Sequence, residues 1–150
     1  MPLAIFARPT ETFPEFGKLE FTTHWRGHIA LAFDERPFEV LVRAKRGGPS
    51  VNQIAAMKVL TANALQIRAQ ATPYMATLHR SAWFFPTETL ASDDQIWDHL
   101  IPNQIEVSDE SYYGDGRIAS LIIFGLKSHQ DYGPAIETAD GSFVQVLSGT

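Results

Sequence analysis

The chain contains no cysteine. That absence removes disulfide frameworks, thiolate zinc sites and cysteine nucleophiles together, and it fits a reducing compartment. No apolar run approaches the roughly 18 residues a membrane-spanning helix needs. The opening Met-Pro-Leu-Ala-Ile-Phe-Ala-Arg has no basic segment ahead of an apolar one, so no secretory signal is expected. Neither standard Gly-rich phosphate loop occurs, nor does the Gly-x-Ser-x-Gly elbow of a serine hydrolase. Internal repeats, low-complexity tracts and linkers are missing too. Between Arg80 and Arg117 there is not one basic residue. The expectation is a soluble, cytoplasmic protein with no membrane partner.

What is present suits one domain. In 150 residues, 45% are hydrophobic, and ten Phe, four Tyr and three Trp supply bulk for a core. A chain of this size buries roughly 70% of its unfolded surface, which excludes wholesale disorder. The net charge of −5 conceals a split. Residues 1–80 hold ten Lys/Arg against six Asp/Glu, a formal +4, whereas residues 81–150 hold two against eleven, a formal −9. Interleaving of the two halves in space would dilute the split. A face of that sign repels phosphate backbones, so nucleic acid is not an expected partner, and it attracts basic protein surfaces.

Residues 1–16 carry Pro2, Pro9 and Pro14 and read as an irregular arm, with a single domain over 17–150. Alternation then begins: Leu19 and Phe21, next Ile29, Leu31 and Phe33, then Phe38, Val40 and Val42. With a turn or bulge at Trp25-Arg26-Gly27 and a turn at Asp34-Glu35-Arg36-Pro37, this predicts a three-stranded antiparallel meander. Ser50-Val51-Asn52-Gln53 has capping-box spacing, and Ile54, Met57, Leu60, Ala64, Ile67 and Ala71 form one helical stripe. Pro73 is expected to end or kink that helix at Thr72, a second segment running to His79-Arg80. Trp83-Phe84-Phe85-Pro86 is an apolar connector. Ser92 and Gln95 repeat the capping spacing ahead of a short helix through Leu100. Strands follow around Ile105–Val107, along Arg117–Lys127, the most apolar run, and over Ala135–Thr138 and Phe143–Leu147, the last two joined by the hairpin signal Asp140-Gly141. The predicted class is α+β: an antiparallel sheet with one long and one or two short helices packed on it.

Several of these pieces together resemble a known family. Trp25-Arg26-Gly27, Phe38-Glu39-Val40, Ser50-Val51-Asn52-Gln53, Leu100-Ile101-Pro102-Asn103-Gln104-Ile105 and Asp140-Gly141 are similar to motifs of small bacterial domains of unassigned function. That group includes immunity proteins of polymorphic-toxin and contact-dependent growth inhibition systems. The likeness spans residues 17–148 and departs at His129-Gln130-Asp131-Tyr132-Gly133, where relatives carry an acidic residue, His and Gly together. It implies a non-enzymatic protein that binds a cognate toxin, and it brings no catalytic residues and no cofactor.

The residues by themselves offer three kinds of site. His24 and His28 stand four apart, a zinc spacing on a helix, but their surroundings alternate as a strand and a third ligand would have to come from elsewhere, so no metal is expected. A hydrolase pairing carboxylate and His would need His24, His28 and Asp131 to converge, and a separate carboxylate pair for glycoside chemistry would sit at Asp109-Glu110 beside Tyr112-Tyr113. Ser50 and Ser92 are explained as helix caps. The third kind is an interface: residues 83–115 mix aromatics with eight carboxylates, the composition of anchors inside an acidic rim. Asp93, Asp94, Asp98, Asp109, Glu110 and Asp115 are the predicted contacts, with Trp97 and Tyr112 as anchors, for a basic toxin such as a nuclease. A self-associating adaptor is the remaining alternative, and the sequence leaves the oligomeric state open.

Overall fold

The computed structural model describes residues 9–81, 90–127 and 133–148. Within them, eight strands make one sheet in chain order: β1 (Thr10–Phe13), β2 (Gly17–Phe21), β3 (Trp25–Ile29), β4 (Phe38–Val42), β5 (Leu100–Val107), β6 (Ala119–Leu126), β7 (Ala135–Ala139) and β8 (Ser142–Leu147). Between β4 and β5 run two helices, α1 (Val51–Ala62) and α2 (Ala64–Ser81), and the 3-10 segment η1 (Asp93–His99). The fold is α+β. Every neighbouring pair is antiparallel except β4 and β5, which are parallel. The excursion through the helices causes this exception, since a long crossover returns the chain to the end of the sheet from which it started.

Alternation decides the two faces. Val40, Ile105, Ile122 and Ile136 stand in register across four strands, and each is fully buried. They share one core cluster with Met57, Leu60, Ala64, Ile67, Ala71 and Met75 of the helices. Full burial of each large side chain there contributes about 1.5–3 kcal/mol. On the opposite face the adjacent row reads Leu41, Glu106, Leu121, Glu137 and Gln145, mixed in polarity where the other row is wholly apolar. At the far end of the sheet, Asp140 (φ 49°) and Gly141 (φ 84°) make the predicted hairpin in the left-handed conformation such turns need. A Cβ on Gly141 would stand 2.6 Å from the backbone nitrogen of Leu60, so this hairpin seats directly on α1.

Five expectations need correction. Residues 10–13 are not arm but strand, because pairing with β2 satisfies their backbone despite the flanking prolines. Trp25-Arg26-Gly27 is the start of β3 rather than a turn; the reversal lies at residues 22–24, where the Thr22 amide donates to the His24 carbonyl. Leu31 and Phe33 lie beyond β3 in a connector, buried by packing without any strand pairing. The helix does not end at Thr72. It is interrupted at Asn63 and then passes through Pro73, whose ring lies exposed and whose lost amide bond would have gone to solvent-facing Ala69. The second capping box also does not form: the Ser92 side chain makes no cap bond, and Gln95 accepts instead from the Ala91 amide at 2.7 Å. Trp83-Phe84-Phe85-Pro86 and His129 with Asp131 lie outside the described residues.

Candidate functional site

Because β4 and β5 are parallel, their carboxyl ends lie side by side, and α1 begins at that same end. Residues following each strand therefore meet the helix start. Arg43, Ala44 and Lys45 after β4, Asp109, Glu110 and Ser111 after β5, and Ser50 and Gln53 of α1 surround a cleft of about 450 Å³. Crevices outside the carboxyl ends of parallel strands are the usual ligand positions in open sheets with helical crossovers.

Gln53 holds the cleft floor. It is 1% exposed, and its side chain is fully engaged. Its Oε1 accepts from the Ser50 amide at 2.9 Å, completing the predicted capping box with the Ser50 hydroxyl, which accepts from the Gln53 amide at 3.1 Å. Its Nε2 donates to the carbonyls of Arg43 (3.0 Å) and Ser108 (3.1 Å). One amide thus ties the ends of β4, β5 and α1 together. The spacing of Ser50 and Gln53 announced the cap; nothing in the sequence announced the two carbonyls.

The β5–β6 loop, residues 108–118, forms the outer wall. Asp109 accepts from the Ser111 hydroxyl and from the Ser111 amide, and these bonds hold its carboxyl below the usual range, so it stays ionised at neutral pH. Glu110 accepts from the Ser50 hydroxyl at 2.7 Å. Asp115 is lowered in turn by the Arg117 amide and guanidinium. Tyr113 is pushed upward, by burial first and then by its hydrogen bond to Glu137, and remains a neutral donor. Tyr112 meets the Tyr113 ring edge-on at 4.9 Å and is 48% exposed, an aromatic side chain turned outward on a braced loop.

The predicted contact residues fall into two groups. Asp109, Glu110, Tyr112 and Asp115 share this loop. Asp93, Asp94, Trp97 and Asp98 belong to η1, at the other end of β5. The eight residues of β5, seven steps of about 3.3 Å, put roughly 23 Å of strand between the groups. They are not one acidic face. Trp97 serves the interior: it packs edge-on against Phe33 and Phe124, lies under the Arg68 guanidinium, and donates from Nε1 to the Thr72 hydroxyl at 3.0 Å. Asp93 pairs with Arg80 at 2.7 Å, while Asp94 and Asp98 are exposed. Basic residues of the first half interleave with both groups, Arg43 and Lys45 with one and Arg80 with the other, which dilutes the charge split.

No family model, curated protein or solved structure matches the chain.

Among the described residues no group of three or more His, Asp or Glu side chains is placed to hold a metal ion. His24 lies in the turn before β3, and exposed His28 lies within that strand. Nor is any helix in that set long and apolar enough to cross a membrane.

Proposed function

We propose that this chain is a non-enzymatic, cytoplasmic immunity-type protein that neutralises a cognate basic bacterial toxin by direct contact, using the β5–β6 loop and the adjoining cleft rim. One observation carries the reading. The loop presents a half-exposed Tyr112 beside Asp109 and Asp115 while internal bonds tie the loop down at Ser111, Ser50, Arg117 and Glu137. Preorganised aromatic and charged groups bind at a smaller ordering cost than mobile ones. Carboxylates at the rim favour a basic partner and speed its approach. The Asp109–Glu110 pair suits contact better than hydrolysis, since both carboxylates are already engaged by Ser111 and Ser50.

The test is a tagged purification from the native host under conditions of toxin expression, eluted across a salt gradient. The expected result is one stoichiometric basic protein that stops growth when expressed alone and is harmless when this chain is co-expressed. Failure to recover such a partner, or a partner whose effect on growth the chain does not change, would overturn the reading.

A further inference from the structure

Glu137 is a carboxylate in the middle of β7, 6% exposed. Its neighbour across the sheet is Leu121, and an apolar residue would fill the same position without desolvating a charge. The carboxylate is kept satisfied from two sides: Tyr113 Oη donates to Oε2 at 2.6 Å, and Gln145 Nε2 donates to Oε1 at 3.0 Å. Tyr113 comes from the β5–β6 loop, so its side chain reaches back to the sheet at β7 to make that bond. There the Arg117 guanidinium lies 4.5 Å from the ring centroid, and Arg117 in turn pairs with Asp115 at 3.0 Å. The same ring supports Tyr112. One buried acceptor therefore anchors the aromatic residue on which the rest of the loop is built.

We infer that Glu137 is a positioning residue: its hydrogen bond from Tyr113 latches the β5–β6 loop to the sheet in the conformation that presents Tyr112 outward. The consequence for binding rests on the toxin-contact reading above; the latch itself does not. A hydrogen bond to a charged acceptor in a sheltered place shifts a local opening equilibrium by about tenfold to a hundredfold.

The experiment is amide hydrogen exchange on the free, full-length chain, comparing wild type with Tyr113→Phe, Glu137→Gln and the double variant Tyr113→Phe/Glu137→Leu. The double variant removes the whole pair and leaves no buried charge without its donor, which protects against simple misfolding. Amides of residues 109–117 should exchange about tenfold or more faster in Tyr113→Phe and in the double variant, with β6 amides keeping their protection. Glu137→Gln retains an acceptor and should be intermediate. Unchanged loop exchange in all three, or acceleration that merely follows β6, would overturn the latch. No partner is needed, so failure of the latch and failure of the toxin-binding reading are seen separately.

Discussion

Replacing Gln53 by Leu keeps the helix and much of the side-chain volume while deleting three side-chain hydrogen bonds: one from the Ser50 amide and two to the carbonyls of Arg43 and Ser108. At about 1 kcal/mol each, with the Ser108 carbonyl left buried, the loss comes to about 3 kcal/mol. That is a large share of the roughly 5–15 kcal/mol that holds a domain together. For a chain of this length it corresponds to a fall in Tm of roughly 6–12 °C. Urea unfolding followed by tryptophan fluorescence reads it directly, since Trp25 is buried and donates to the Lys45 carbonyl at 2.8 Å. The midpoint should drop with the slope unchanged. Ser50→Ala, which removes the cap and the bond to Glu110, should cost about 1 kcal/mol. Because both residues belong to one box, the double variant should lose less than the sum of the two. A Gln53→Leu variant within 0.5 kcal/mol of wild type would refute the idea that this amide joins the two strands to the helix.

Other consequences are as direct. Gly141→Ala places a Cβ 2.6–2.8 Å from Leu60, Val59 and Ala56 at a φ of +84°, and should cost about 2–4 kcal/mol by the same unfolding assay. The Arg36 side chain holds the Asp34 carboxyl below its ordinary value of 3.8. A depressed carboxyl stabilises the fold above its ordinary value, and that stability is lost as pH falls through the folded value. Asp34→Asn should therefore flatten the acid limb of a stability-against-pH curve below about pH 4, by under about 1 kcal/mol because the pair is partly exposed. In the captured complex, Tyr112→Ala should weaken binding about tenfold or more in a calorimetric titration, with stability unchanged. Reversing Asp94 and Asp98 to Lys, at the other end of β5, should leave that affinity alone; equal losses from both would refute the assignment to the loop.

Local chemistry was legible in the sequence at most places where a residue acts on its own neighbours, the Ser92–Gln95 spacing being the exception. Alternation placed most strands, the Ser50–Gln53 spacing placed the start of α1, and Asp140-Gly141 placed the last hairpin. Each of these depends on contacts a few residues away. The helix does not end at Thr72 because the cost of a proline in a helix depends on whether the carbonyl it strands faces protein or water, and that is set by packing. Trp97 misled for a related reason: an aromatic residue in an acidic stretch looks like an anchor until Phe33, Phe124, Thr72 and Arg68 are brought against it.

The sequence by itself determined most of the element types, the α+β class and the one helix cap, since these follow from period, propensity and side chains reaching their own backbone. Tertiary structure alone decided the parallel join of β4 to β5, because hairpin signals specify neighbours only within each half of the chain. From that join come the cleft and the reach of Gln53 to two strands. The bond between Tyr113 and Glu137 spans 24 residues and depends on a loop side chain reaching back to the sheet, a relation that no local pattern of residues encodes.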